Sequence, residues 1–238
     1  MLARALTEPC KSPRAQEVRA LLVGRKLLQG KLLDVELSIR GILRGFGLKV
    51  GAVSKGRFAY RIRELVTGQA MLERVIEPML RAREALRAEY HARHRAVLGI
   101  VREDTTCRRL MTVPGVGALV AITFTSAIDD PSRFARSRAV GAHFGLTPKK
   151  YQSGETDVTG GISKVGDAMV RSALYEAANV MLTRAGRFSS LKRWAMAVAG
   201  RRGMKRAKVA LARKLASILH RMWLDGTGFR FGQEVPAA

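Results

Sequence analysis

Two serines sit where a hydroxyl could meet a phosphate. Ser153 closes the run Gly145-Leu-Thr-Pro-Lys-Lys-Tyr-Gln-Ser153-Gly154, and Ser163 lies within Gly160-Gly-Ile-Ser163-Lys164-Val-Gly166. A hydroxyl flanked by glycines is open to approach, and Lys149, Lys150, Lys164 and Arg171 could stabilise the charge that builds on a phosphate. Serine is a poor nucleophile unless activated, and the nearest histidine in sequence is His143. A capping or loop role is therefore the competing reading of either serine taken alone.

A second candidate is Val113-Pro-Gly-Val-Gly117, followed by an apolar, helix-compatible stretch from Ala118 to Ala127. Leu110 leads in, and Ala121 falls on the second helix, the pattern of a helix-hairpin-helix element. Gly115 and Gly117 would let the backbone approach a phosphate, and the helix N-terminus behind them offers free N–H groups. Such an element holds the nucleic-acid backbone without reading bases. An ordinary helix–helix turn has the same Pro-Gly signature.

The third candidate is the basic C-terminal part. Residues 184–230 hold thirteen Lys and Arg and one acid, Asp225, a net +12. Arg201, Arg202, Lys205, Arg206, Lys208 and Arg213 are the expected phosphate contacts. Trp194 and Trp223 could stack on bases, although tryptophans at helical spacing also serve as core. The whole chain of 238 residues carries +24, with 43 Lys and Arg against 19 Asp and Glu. A folded chain so charged repels itself unless an anion neutralises it, and nucleic acid is the anion that fits. At 47% hydrophobic and 26% charged residues, the composition is that of a globular chain. No apolar run reaches the roughly 18 residues of a membrane span, and none near Met1 suits a secretion signal. Cys10 and Cys107 make neither a disulfide framework nor a metal site, and four scattered histidines add no metal signature. A cytoplasmic, nucleoid-associated protein without a membrane partner is expected.

These candidates need a helical frame. Ser12-Pro13 reads as a capping residue with proline at the first helical position. From there Val18, Leu21, Arg25, Leu28, Leu32, Val35, Ile39, Ile42 and Phe46 step by three and four, eight of the nine apolar. Leu22, Leu33 and Leu43 widen the stripe, so more than one partner helix is expected, and Gly45, Gly47 and Gly51 end it. Asp34 and Glu36 read as charges on the helix surface. A short helix follows over Phe58 to Val66. Pro78 then marks the start or a kink of a second long helix to about Val101, with Met79, Leu86, Tyr90, Val97 and Ile100 as its apolar positions. Asp129-Asp-Pro131 opens a helix to about Phe144. Residues 145–166 lack a helix signal and suit a short hairpin near Tyr151 and Val158. Three helices are expected thereafter, over 167–184, 189–199 and 204–224. The chain thus reads as mainly α: a loose start (1–11), a long-helix coiled-coil arm (12–105), a helical C-terminal domain with a helix-hairpin-helix-like element and a glycine-rich loop (106–232), and a tail (233–238).

Taken in order, Thr112-Val-Pro-Gly-Val-Gly117, Phe144-Gly-Leu-Thr-Pro148, Ser153-Gly154, Gly161-Ile-Ser-Lys164, Gly166 and the basic final helix resemble the C-terminal transposase domain of a bacterial insertion-sequence family. These are the bridge-RNA-guided transposases with an N-terminal RuvC-like DEDD domain, relatives of the pilin-gene invertases. The likeness runs from Leu110 to Leu224, and Ser12 to Gly51 resembles the family's linking coiled coil.

The resemblance implies that a serine attacks a DNA phosphate and becomes covalently joined to the strand, with Mg²⁺ held by the DEDD domain. Carried over, Ser153 is the nucleophile and Ser163 the fallback. No metal or other cofactor is expected on this chain. Expected partners are DNA, a structured guide RNA, and a further copy or an intact transposase joined through the coiled coil. In the family the DEDD domain precedes the coiled coil, whereas here Met1 lies almost at its start, and Glu8, Glu17, Asp34 and Glu36 do not replace it. The expectation is the C-terminal part of a transposase, acting with a metal-bearing domain in trans. The alternative is a non-catalytic DNA- and RNA-binding remnant that associates with intact transposase and inhibits it.

Overall fold

The computed structural model describes residues 11–153, 156–184 and 188–231, with the side chains of residues 150–159 outside the described set. The expected loose start, save Lys11, and the tail 233–238 also lie outside it. The fold is mainly α, as expected, with nine helices and one two-stranded sheet among the described residues. The chain divides into two compact units, one of Met1–Arg19 with Leu98–Ala238, the other of Ala20–Val97.

Helix α1 covers Pro13–Gly45. It starts where the capping pair places it: the Ser12 hydroxyl accepts from the Ala15 N–H at 3.2 Å. It ends at Gly45, and in the turn that follows Gly47 takes a φ of 74°, a left-handed value that glycine adopts without strain. The Leu48 N–H then closes the end on the Leu43 carbonyl at 2.9 Å.

In the unit Ala20–Val97, α2 (Phe58–Val66) and α3 (Ala70–Glu103) join α1. Ile39 and Leu43 of α1, Phe58 and Ile62 of α2, and Ile76 and Leu80 of α3 form its core. Pro78 lies inside α3 rather than at its start. It is exposed, so solvent can take the carbonyl of Arg74 that proline cannot bond. Of the positions expected on α3, Val97 is buried and Leu86 and Tyr90 are only half-buried, while Leu72, Ile76 and Leu80 also lie inside. One seam position, Arg25, and one expected surface charge, Glu36, resolve into polar anchors. Arg25 is buried and donates to Tyr90 Oη at 2.9 Å and His94 Nδ1 at 3.2 Å. Glu36 is no free surface charge: it accepts from Arg83, which is 2% exposed, donates to the Lys55 carbonyl, and lies 4.7 Å from the centre of the Phe58 ring. Asp34 is a surface charge, paired with Lys31.

The other unit is built around α9 (Met204–Asp225), whose Leu211, Leu215, Ala216 and Leu219 are fully buried. Against it pack α7 (Ala168–Thr183), α8 (Ser190–Arg202) and α6 (Ser137–His143). Helices α4 (Thr105–Leu110) and α5 (Ala118–Ile128) complete the layer, and α5 is buried from Ala121 to Ile128. The single helix expected from Asp129 to Phe144 is instead a 3-10 turn at Pro131–Arg133 and then α6. Its break is fixed by buried His220, which contacts the Pro131 carbonyl and the Ser137 hydroxyl, both at 2.9 Å. A carbonyl only accepts, so the His220 Nε2–H donates to Pro131.

Asp167 secures the start of α7 by accepting from the N–H groups of Met169 and Val170 and by pairing with Arg19. Burial pushes its carboxyl up, but the backbone N–H bonds and the Arg19 charge outweigh this and leave the pKa below its usual 3.8. Asp167→Ala removes a cap and leaves Arg19 unpaired, so urea unfolding at pH 7 should show a loss of about 2 kcal/mol. A carboxyl with a depressed folded-state pKa contributes stability above its unfolded pKa and loses it as pH falls through the folded value. The gap between the two proteins should therefore narrow below about pH 3.8.

Candidate nucleic-acid interface

The hairpin lies between α6 and α7. Strand β1 (Pro148–Ser153) pairs antiparallel with β2 (Thr156–Ile162), with Tyr151 opposite Val158 and Ser153 opposite Thr156. Ser153 is thus the last residue of β1, at the end away from the helices. Its side chain, the side chain of Lys150, and Gly154 lie outside the described residues.

The other end of the hairpin is a tight backbone crossing. Gly145 has a φ of 65°, and a Cβ there would lie 2.2 Å from the Val165 carbonyl oxygen. Gly166 has a φ of 80°, and its Cβ would lie 2.2 Å from the His143 carbonyl oxygen. Both positions exclude a side chain twice over, by conformation and by space. Lys164 takes a left-handed φ of 58° in the same crossing. The Ser163 N–H donates to the Thr147 carbonyl at 2.8 Å, and the Lys164 N–H to that of Gly145 at 3.1 Å. Arg171 reaches in from α7, and its Nη1 lies within 3.2 Å of the carbonyls of Phe144, Val165 and Gly166. Arg171 therefore ties the crossing together, with Ser163 half-buried beside it. Lys149 and Lys164 are exposed.

The Pro-Gly turn joins α4 to α5, with Leu110, Val113, Val116 and Ala121 buried beneath it. Gly115 has a φ of 83°, and its Cβ would lie 2.4 Å from the Ala177 carbonyl of α7. Its smallness is used against α7. Gly117 is exposed and precedes α5 without a capping side chain. Cys107 is buried under this turn, 3.6 Å from the Thr125 hydroxyl, and burial pushes its thiol up to about 12, which makes it inert.

The expected cations gather around the joint of α8 and α9. Arg201 and Arg202 end α8, where the helix dipole favours positive charge. After Gly203, Lys205 and Arg206 stand at the start of α9, where the dipole opposes them, with no acid in that turn and no capping side chain. All four are exposed, Arg213 is exposed two turns beyond Arg206 on the same face of α9, and Lys208 is half-buried. An anion at this joint would relieve a repulsion that the fold leaves uncompensated. Arg138, which the spacing of the basic part does not single out, lines the same groove as Arg202, Arg206 and Arg213, with Gly160 and Gly161 of β2. Among the described residues, no group of three or more His, Cys, Asp and Glu could hold a metal ion.

Residues 107–193, from α4 into α8, match the family described as Transposase IS116/IS110/IS902. The chain is 32% identical over 232 residues to the transposase for insertion sequence element IS1111A of Coxiella burnetii, covering 93% of this chain and 62% of that one. To a putative transposase of Sinorhizobium fredii, y4pF/y4sB, it is 28% identical over 223 residues, covering 90% and 57%. To a probable family 20 transposase of Pseudomonas aeruginosa it is 30% identical over 232 residues, covering 94% and 68%. The chain belongs to this transposase family. It spans roughly three fifths of the length of the curated relatives it matches, 62% and 57% of the first two. Within this chain the family match takes in the Pro-Gly turn, the glycine crossing and the hairpin, while the basic joint from Arg201 onward lies beyond it. No helix among the described residues is long and apolar enough to cross a membrane.

Proposed function

We propose that this chain is the DNA-holding and serine-bearing part of an insertion-sequence transposase. The observation that carries this reading is the uncompensated cationic joint of α8 and α9, in the same unit as the hairpin that ends at Ser153. Arg201, Arg202, Lys205 and Arg206 hold phosphates of duplex DNA, and Lys149, Lys150 and Lys164 hold those near the hairpin. Gly117 offers backbone N–H groups to a further phosphate. The Ser153 oxygen attacks a phosphodiester phosphorus, forming a Ser–O–P bond as one P–O bond of the strand breaks. The departing strand oxygen takes a proton, and the phosphoester link is preserved for rejoining. Mg²⁺ belongs to a DEDD domain supplied in trans to these residues, where it would lend positive charge to the reacting phosphate.

Structured guide RNA is the second nucleic acid in this reading, and a further copy or an intact transposase is the protein partner. On α1, Val23, Leu27, Leu33 and Leu37 are 53–60% exposed and fall within roughly a third of the helix circumference. They form an exposed leucine-rich stripe, shared with the charges of Lys26 and Asp34, that is suited to a second amphipathic helix.

Duplex DNA titrated across about 50–200 mM salt should show a steep log–log loss of affinity. Replacing Arg201, Arg202, Lys205 and Arg206 together with glutamine should flatten that slope by roughly 3–4, at about 0.9 per phosphate contact. An unchanged slope would remove the joint from the interface, and absent duplex binding would end the reading.

A further inference from the structure

α8, α9 and the base of the hairpin enclose a groove of about 720 Å³. Its floor is apolar, with Trp194 of α8, Val209 of α9 and Ile162 of β2. Its rim is cationic: Arg138, Arg202, Arg206, Arg213 and Lys214 line it, with no acid among the lining residues. None of the five is ion-paired among the described residues. Lys214 Nζ stands 4.1 Å over the indole of Trp194, so an aromatic face and a positive charge already occur together here.

That combination narrows the occupant. An apolar peptide would bury five charges against nothing, and an acidic peptide would leave the flat apolar floor unused. A nucleotide strand supplies both parts, a ring for the floor and phosphates for the rim. Duplex DNA does not fit so well, because its bases are stacked on one another and offer no face to Trp194. The groove is also continuous with the proposed chemistry. β1 begins at its wall with Pro148 and ends at Ser153, roughly 16 Å along the strand, a few nucleotides' length.

We propose that this groove takes an unpaired DNA strand, one base seated against Trp194 and the flanking phosphates on Arg206, Arg213 and Lys214. The inference rests on the DNA-binding reading above and adds to it the form of the DNA and the side chain that grips a base. A strand leaving the groove runs along the hairpin toward Ser153, so the groove holds DNA next to the scissile position after the duplex has opened.

The chain has two tryptophans, so Trp223→Phe leaves Trp194 as the sole reporter. In that background a short oligo-dT should quench the fluorescence. Trp194→Ala should weaken oligo-dT binding about tenfold, the range of one base–aromatic stack, and change duplex affinity less than about twofold. Trp194→Phe keeps a ring and should retain most of the binding, which separates stacking from a folding defect; thermal melts of each variant check the fold. Duplex binding without quenching overturns the proposal, as does an equal loss for duplex and single strand. A ribo-oligomer bound as tightly as the DNA, with the same Trp194 dependence, overturns the assignment to DNA. If neither form of DNA binds, the DNA-binding reading itself fails, a result distinct from the loss of the single strand alone.

Discussion

Ser153→Ala is expected to abolish the covalent protein–DNA product while leaving duplex binding intact. The assay supplies this chain, DNA carrying the element's junction, its cognate RNA, Mg²⁺ and a separate DEDD domain, and reads a band that survives denaturant. An intact relative serves as the positive control. Removing the attacking oxygen leaves no group to form the ester, and loss of a nucleophile lowers turnover by roughly 10³-fold or more. Binding depends instead on cations that the substitution does not touch. Ser163→Ala is the internal comparison. Ser163 lies in the crossing at the hairpin's base, half-buried, with its N–H held by the Thr147 carbonyl. Its hydroxyl can be removed without disturbing that backbone bond, so the band should persist. A band that survives Ser153→Ala and vanishes with Ser163→Ala would transfer the role to the fallback serine. A band lost in neither would refute a serine link through either residue.

How far the sequence disclosed this molecule depends on the range of the forces involved. The start of α1, the bounds of α2 and the presence of a hairpin near Tyr151 and Val158 were legible, because a cap, an amphipathic run and a turn-rich gap are local signals. The break between the 3-10 turn and α6 was not. It is held by His220, more than eighty residues downstream, through bonds at separations of 83 and 89. As a helix start, Pro78 was misleading for the opposite reason: the helix runs through it from Ala70, because the proline faces solvent on a helix whose other face is packed. The cations of the basic part were visible as types but not as a site. Only the fold shows Arg138 of α6 beside Arg206 and Arg213 of α9. Arg171 shows how far type alone can carry an assignment. Read as a phosphate contact, its Nη1 lies within reach of three carbonyls of its own chain.

The crossing that Arg171 secures gives the largest expected effect on stability. Gly145→Ala puts a methyl group where the Val165 carbonyl oxygen already stands, and Gly166→Ala does the same against that of His143. In both cases the obstacle is backbone, which cannot swing aside as a side-chain tip would. Each alanine would also sit at a left-handed φ, a strain of about 1–2 kcal/mol before any clash is counted. Either substitution should therefore cost on the order of 3 kcal/mol or more in urea unfolding. Gly161→Ala is the control on the same hairpin, since nothing lies within 4 Å of its Cβ and its φ is not left-handed. It should change stability by less than about 0.5 kcal/mol. The crossing also fixes where β1 leaves α6, so a variant that stays folded should lose covalent product with duplex binding retained. If Gly145→Ala and Gly161→Ala proved equally mild, the two segments would not be in backbone contact, and the hairpin that presents Ser153 would be held by something other than this crossing.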